Sequence, residues 1–212
     1  SSPLSYIRNV TEHWGIDRYF QKLVSGETVK HPKPAPDVFL KTAEILGLSP
    51  EECLVIEDSE NGCKAAKAAG MACMAYYNPD SGKQDLSTAF ALVEGFEEVD
   101  SAFVEKIYCH FHHLPAKVCE TNRLLIREME KGDIPRMMEI CSQETSADAC
   151  EGVAKPLKEE LEDFEMYRRY MYELCDMGYW CILEKASGEI IGRAGVEPKL
   201  WNDNKTVVEL GY

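Results

Sequence analysis

The sequence has too few basic residues to balance its acidic ones: 23 lysines and arginines stand against 37 aspartates and glutamates, for a net charge of -14 at pH 7. Proteins that bind nucleic acid or anionic membranes need a positive surface, so we expect neither partner. The sequence also lacks any apolar run near the ~20 residues that span a bilayer, and Ser1-Ser2-Pro3 does not open a signal peptide. We therefore predict a cytoplasmic protein.

Nine cysteines are present, but no two have the Cys-x-x-Cys spacing that is typical of structural zinc sites and redox sites. One dense group of possible metal ligands does occur, consisting of Cys109, His110, His112 and His113. Imidazole and thiolate groups suit zinc, yet this segment lacks paired ligands at defined spacings. We interpret residues 108–119 as a linker between domains, with a metal site as the alternative.

Two segments of the first half carry the residues with the clearest chemistry. Lys33 lies in the proline-rich stretch His31-Pro32-Lys33-Pro34-Ala35-Pro36-Asp37, and Glu57-Asp58-Ser59 follows the apolar run Cys53–Ile56. In an open parallel sheet, ligands gather outside the carboxyl ends of the strands, where Glu57 and Asp58 are predicted to lie. Their oxygens suit Mg2+, which takes one or two protein carboxylates together with a substrate phosphate. Lys33 offers a compact positive charge, either to phosphate oxygens or to a neighbouring carboxylate.

The surrounding pattern predicts helices that alternate with strands. Pro36 and Asp37 favour the start of a helix that Gly47 ends, and Ser59 is placed to cap the next helix. Residues 71–77 then have the composition of a second buried strand. This alternation predicts an α/β fold with a parallel sheet. Taken one at a time, the same residues also fit a solvated acidic turn and a surface lysine.

The combination resembles the second half of a haloacid dehalogenase superfamily hydrolase, in the branch of beta-phosphoglucomutase and related sugar-phosphate phosphatases, over roughly residues 1 to 105. Lys33 matches the third motif of that family, Glu57-Asp58-Ser59-Glu60-Asn61-Gly62 matches the fourth, and Ser1-Ser2-Pro3-Leu4 is similar to the tail of the second. The resemblance implies that Lys33 is catalytic and binds phosphate. It also implies that the Ser1 N–H and the Ser2 hydroxyl lie near the substrate, that Glu57 and Asp58 bind Mg2+, and that the partner is a small phosphorylated metabolite.

The sequence departs from this family in one important respect. The family's nucleophile is an aspartate in an Asp-x-Asp motif near the N-terminus, and a cap domain follows it; neither occurs in the sequence. By resemblance, the intact protein forms an aspartyl-phosphate, as either a hydrolase or a mutase. We expect the 212-residue chain to be inactive by itself and its Rossmann-like parallel sheet, with flanking helices, to be incomplete.

The second half has a different order of predicted elements. Residues 123–127 predict a strand, residues 157–177 a long helix that Gly178 ends, and residues 179–195 a β-hairpin around Ser187-Gly188. This order is similar to the first half of a GNAT-type N-acetyltransferase, with further similarity at Glu209-Leu210-Gly211-Tyr212. The resemblance implies an incomplete α+β acetyltransferase fold, with acetyl-CoA as the cofactor of the complete domain only, because the pyrophosphate-binding loop does not occur in the sequence.

We therefore predict a hydrolase-like core over residues 1–107, a linker over 108–119 and the first half of an acetyltransferase domain over 120–212. The predicted function is Mg2+-dependent phosphoryl transfer in an intact fusion protein of which this chain is an internal piece. One alternative is an acetyl-CoA-dependent N-acetyltransferase as the main activity. Another is a non-catalytic interaction protein that kept both folds and lost both sites.

Overall fold

A computed structural model of the chain describes residues 2–97, 99–143, 155–201 and 205–212. The chain divides into two compact units, Ser1–Phe111 and His112–Tyr212. Within the described ranges, no helix is both long and apolar enough to cross a bilayer. The two units have different sheets, and each is described below by itself.

The first unit contains a parallel sheet of three strands in the order β1-β2-β3. Its elements are α1 (Leu4–His13), α2 (Asp37–Leu46), β1 (Leu54–Glu57), α3 (Glu60–Ala68), β2 (Ala72–Tyr76), β3 (Ala91–Val93) and α4 (Ser101–Phe111), with short 3-10 helices at Asp17–Tyr19, Gly26–Thr28, Pro50–Glu52 and Pro79–Ser81. Parallel strands need crossover connections, and α3 supplies the one between β1 and β2. The predicted α/β fold with a parallel sheet is confirmed.

The central strand β2 is buried on both faces, as expected for a parallel strand that lies between layers of helices. Cys73 and Ala75 pack in one cluster with small residues of α3, whereas Ala72 and Met74 pack in a second cluster with Ile107 of α4. The alanine-rich face of α3 allows this helix to approach the sheet closely. The helix signals are confirmed too, because α2 ends at Gly47 in a left-handed conformation with φ 72°.

The second unit contains an antiparallel sheet of five strands in the order β4-β5-β6-β7-β8. Its elements are β4 (Lys117–Glu120), β5 (Leu124–Arg127), α5 (Ile134–Gln143), α6 (Leu157–Tyr167), a π-helix (Arg168–Leu174), β6 (Gly178–Glu184), β7 (Ile190–Trp201) and β8 (Lys205–Gly211), with a 3-10 helix at Lys131–Asp133. The predicted hairpin is present as β6 and β7. Strand β7 continues six residues beyond the segment 190–195 that its pattern predicts.

The long helix predicted over residues 157–177 is α-helical only as far as Tyr167 and continues as the π-helix. The wider π-helical turn allows two consecutive side chains, Met171 and Tyr172, to be buried together. The Tyr172 hydroxyl donates to the carbonyl oxygen of Tyr179 and accepts from the Met129 N–H at 3.3 Å. Local periodicity does not reveal these bonds to Tyr179 in β6 and to Met129 in the segment after β5, so the sequence predicts one uninterrupted helix.

The segment that we interpret as a linker, residues 108–119, contains parts of two regular elements. Residues 108–111 form the last turn of α4, and residues 117–119 lie in β4. The side chains of β4 are exposed along its whole length, so the strand has no buried apolar face from which to predict it.

Candidate functional site

The two predicted motifs of the first unit lie together in the structure although 24 positions separate them in sequence. Lys33 Nζ donates to Glu57 Oε1 and lies 4.7 Å from the centre of the Phe39 ring. The loop that carries Lys33 is fixed by Asp37, whose Oδ1 accepts from the backbone N–H of His31 at 3.0 Å and contacts the His31 ring at 2.8 Å. Of the two roles that the sequence leaves open for Lys33, this geometry places its charge on a neighbouring carboxylate.

The carboxylate of Glu57 is at the carboxyl end of β1 and accepts four hydrogen bonds. Besides Lys33 at Oε1, its Oε2 accepts from the N–H of Asp58 at 2.9 Å and from the N–H and hydroxyl of Ser59 at 3.1 and 2.9 Å. Burial opposes ionisation of Glu57 most strongly, but the bond and charge of Lys33, followed by Ser59 and Asp58, outweigh it and hold the pKa of Glu57 below its ordinary value. Glu57 is therefore ionised and fixed at neutral pH.

Helix α3 begins directly beside this carboxylate. Its N-cap is Ser59, whose hydroxyl accepts from the Gly62 N–H at 3.1 Å, so the predicted cap is confirmed. Gly62 is buried, and a Cβ atom added there would overlap the Glu57 carboxyl group. The missing side chain of Gly62 is thus the reason that Glu57 can lie against the first turn of the helix.

We expect Gly62→Ala to displace Glu57 and to lower the free energy of unfolding by about 2 kcal/mol, because an added methyl group in a packed site forces neighbouring atoms to move. Gly132→Ala is the matched control, since nothing lies within 4 Å of a Cβ atom at that position. Urea denaturation of both variants measures the effect. Equal stability of the two would show that the contact with Glu57 does not constrain position 62.

The second acidic residue, Asp58, interacts with the turn that follows β2. Its Oδ2 accepts from Asn78 Nδ2 at 3.3 Å and from Ser81 Oγ at 3.1 Å. Sequence reasoning missed these two residues. The polar turn Asn78-Pro79-Asp80-Ser81 after a buried strand was the available signal, because β1 and β2 are parallel neighbours and their carboxyl ends meet at one edge.

The predicted substrate-binding serines are not brought into this cluster by any contact in the described ranges. Ser1 lies outside the described residues. Ser2 is exposed, and its carbonyl oxygen accepts from the buried hydroxyl of Ser25 at 2.8 Å. This bond fixes the backbone just before α1, and the role of the Ser2 hydroxyl stays a prediction.

The donor set at the end of β1 fits Mg2+. Its two carboxylates are hard oxygen ligands, and in the described part of the chain Oδ1 of Asp58 accepts no hydrogen bond, so it is available to a cation. On Glu57, Oε1 accepts only the bond from Lys33 among the described residues, whereas the other three bonds go to Oε2, so the room for a cation is on Oε1. These side chains are therefore chemically suited to an ion that binds few protein carboxylates and keeps several waters.

The alternative metal site at Cys109, His110, His112 and His113 is not assembled in the structure. Among all described residues, no three or more histidine, cysteine or acidic side chains are grouped as a metal ion requires. Cys109 and His110 belong to the last turn of α4, whereas the His113 ring contacts the Arg168 guanidinium at 3.2 Å.

In the second unit, polar groups gather on strands β6 to β8. The Tyr167 hydroxyl donates to Glu197 Oε1 at 2.6 Å and accepts from the Tyr179 N–H at 2.6 Å. Burial, followed by the bond to Glu197, raises the pKa of Tyr167 well above its usual range, so this phenol stays protonated. Glu209 is about half exposed and pairs with Lys199 at 2.9 Å, as a glutamate on a solvent-facing position does.

Comparison with known protein families detects two different domains in the chain. Residues 4–76 match the family of haloacid dehalogenase-like hydrolases, and residues 123–212 match the GNAT acetyltransferase domain. The first match includes Lys33, Glu57 and Asp58. The chain is thus similar to haloacid dehalogenase-like hydrolases in its first half and to the GNAT acetyltransferase domain in its second half, which is the order that the sequence predicts.

Among curated proteins, the chain is 49% identical over 59 residues to fructose-1-phosphate phosphatase YqaB of Escherichia coli, which covers 28% of this chain and 31% of that protein. It is 37% identical over 70 residues to phosphoglycolate phosphatase of the same species, covering 33% and 28% of the two chains. The matched region thus spans less than a third of either relative. Among solved structures, beta-phosphoglucomutase of Clostridium difficile aligns with a TM-score of 0.45 at 27% identity, covering 50% and 45%.

Proposed function

We propose that the first unit is the phosphate-binding and Mg2+-binding part of a phosphoryl-transfer enzyme whose substrate is a small phosphorylated metabolite, of the sugar-phosphate type. The observation that carries this proposal is the cluster of Lys33, Glu57 and Asp58 at the carboxyl end of β1. The match to hydrolases over residues 4–76 and the similarity to two curated phosphatases support it.

Each side chain of the cluster has a distinct part in this reaction. Asp58 and Glu57 would hold Mg2+, which supplies positive charge to the phosphoryl oxygens when it is bound. Lys33 lies on Glu57 and presents its remaining N–H groups to phosphate oxygens, so its charge stabilises the transition state of transfer. Fixed in advance by three hydrogen bonds from Asp58 and Ser59, Glu57 keeps the Lys33 ammonium group in place without reorganisation during the reaction.

The attacking group in this proposal is an aspartate of an Asp-x-Asp motif in the intact protein, as the family resemblance implies. Attack on phosphorus forms an aspartyl-phosphate and releases the alcohol of the substrate. Water then hydrolyses the intermediate in a phosphatase, whereas a second hydroxyl of the sugar phosphate accepts the phosphoryl group in a mutase.

We expect the full-length protein to release inorganic phosphate from small sugar phosphates only when Mg2+ is present. Phosphate release is measured with and without a chelator, and the sugar product is identified to separate hydrolysis from isomerisation. Addition of excess Mg2+ to the chelated sample is the control and restores the rate. A rate that is unaffected by the chelator would contradict the role of the metal.

The second unit supports a second activity, acetyl transfer from acetyl-CoA to an amine in the complete domain. Two observations favour it: the match of residues 123–212 to the acetyltransferase domain and the antiparallel sheet of five strands with α5 and α6 between β5 and β6.

We expect saturable binding of acetyl-CoA by the full-length protein and none by the 212-residue chain, because the loop that holds the pyrophosphate does not occur in this sequence. Titration calorimetry of both proteins with acetyl-CoA measures this difference. Desulfo-CoA, which keeps the pyrophosphate, is the control ligand. Tight binding by the 212-residue chain would place the cofactor site among residues 120–212 and contradict this assignment.

A further inference from the structure

Hydrogen bonds hold the turn after β2 against the candidate site. Asn78 Oδ1 accepts from the Asp80 N–H at 3.0 Å, so the Asn78 amide N–H groups are directed at Asp58. Gln84 bridges the turn to α3: its Nε2 donates to the Ser81 carbonyl at 3.1 Å, and its Oε1 accepts from the Glu60 N–H at 3.0 Å. The two donors to Asp58 are therefore fixed on both sides.

Both donors contact the same oxygen of Asp58. Oδ2 of Asp58 accepts two hydrogen bonds, one from Asn78 and one from Ser81, and a cation that bound both oxygens would have to compete with these two donors. Oδ1 accepts no hydrogen bond from the described residues, so binding of an ion through this one oxygen displaces no donor, whereas binding through both oxygens weakens the bonds of Asn78 and Ser81. Mg2+ accepts such a single donor in a compact octahedral shell, whereas Ca2+ has a larger shell that often takes both oxygens of a carboxylate.

We propose that Asn78 and Ser81 are positioning residues that restrict Asp58 to one-oxygen coordination and thereby favour Mg2+ over Ca2+. This inference rests on the proposed Mg2+ site and adds the determinant of its ion selectivity. Removal of both donors releases Oδ2, which allows Asp58 to bind Ca2+ through two oxygens. Mg2+ binds Asp58 through one oxygen in either case. The ratio of the Ca2+ and Mg2+ affinities therefore changes even if the affinity for Mg2+ stays the same.

The test is competition for bound Mn2+ in the full-length protein, with free Mn2+ measured by electron paramagnetic resonance. Mg2+ or Ca2+ is added to wild type and to the double variant Asn78→Ala/Ser81→Ala. We expect the ratio of the Ca2+ and Mg2+ dissociation constants to fall by about tenfold in the double variant, because hydrogen bonds to a charged group contribute on this scale. Ser81→Ala alone shifts the ratio in the same direction if the double variant fails to fold.

Two further variants distinguish an effect on ion selectivity from an effect on the structure of the loop between β2 and β3. Ser81→Thr keeps a hydroxyl and retains the wild-type ratio. Ser87→Ala removes a serine of the same loop that bonds Asp85 at 2.6 Å, and it leaves the ratio unchanged. An unchanged ratio in the double and single alanine variants, or an equal loss of both ions, overturns the positioning role while the metal site stands. Absence of Mn2+ binding by wild type overturns the proposed metal site itself, and this inference with it.

Discussion

Asp58→Asn is expected to lower Mg2+-dependent phosphate release by the full-length protein by at least about a thousandfold, which corresponds to ~4 kcal/mol of transition-state stabilisation. The substitution is nearly isosteric and keeps an oxygen that can accept from Asn78 and Ser81. The substitution removes the negative charge of the carboxylate, whose Oδ1 is the oxygen available to a cation. Since a neutral amide binds a hard divalent cation weakly, the loss follows from metal binding and not from the fold.

The matched control is Asp80→Asn, which makes the same chemical change at an exposed position in the neighbouring turn. Its activity stays within about twofold of wild type, and both variants keep the thermal unfolding temperature of wild type, because surface substitutions away from special features cost little. Mn2+ binding, followed by paramagnetic resonance, is lost in Asp58→Asn only. Normal Mg2+-dependent turnover by Asp58→Asn would remove Asp58 from the metal site.

How much of the site the sequence predicts depends on the distance over which each signal acts. Local signals predict the end of α2 at Gly47 and the Ser59 cap of α3, because each of these features depends only on residues within about one helical turn. The placement of Glu57 and Asp58 at a strand end follows from a general property of parallel sheets. These features can be predicted without knowing which strands pair with each other in the sheet.

The contacts that sequence reasoning missed all join separate elements. Ser81 reaches Asp58 from the turn after the neighbouring strand, across 23 positions of sequence. In the π-helix, the Tyr172 hydroxyl bonds to Tyr179 of β6 and to Met129 after β5, and the periodicity of the helix does not reveal these partners. The sequence likewise leaves two partners open for Lys33, and only the folded chain shows that Glu57 receives its charge. Tertiary contacts decide each of these cases.

Lys33→Met is the second substitution for which we expect a large effect, and it acts on activity and stability together. Loss of the ammonium group removes a positive charge from the phosphoryl oxygens and lowers the rate of phosphate release by about a thousandfold. It also leaves the Glu57 carboxylate, whose side chain is 9% exposed, without its cation. We expect the free energy of unfolding to fall by about 2 kcal/mol, less than for a fully buried pair because the Lys33 side chain is 24% exposed.

The stability loss in Lys33→Met depends on pH in a direction that follows from the pKa of Glu57. In wild type this pKa lies below the ordinary value of 4.5, so the stabilisation is present above that value and is lost as the pH falls through the lowered pKa. Burial remains in the variant while the bond and charge of Lys33 are gone, so the pKa of Glu57 rises. The folded variant then binds a proton that folded wild type releases. The difference in unfolding free energy between the two proteins therefore grows from acid pH towards neutral pH.

Urea denaturation over this pH range measures that difference, and the exposed pair of Lys64 with Glu60 on α3 provides the comparison. Lys64→Met removes the same charge from a carboxylate that water already solvates, so its stability differs little from that of wild type at every pH. A constant difference for Lys33→Met from acid to neutral pH would mean that its side chain stabilises the site through packing on Phe39 alone. A difference that grows with pH assigns the effect to the charge of Lys33 on Glu57, the same interaction that holds the ammonium group ready for a phosphate.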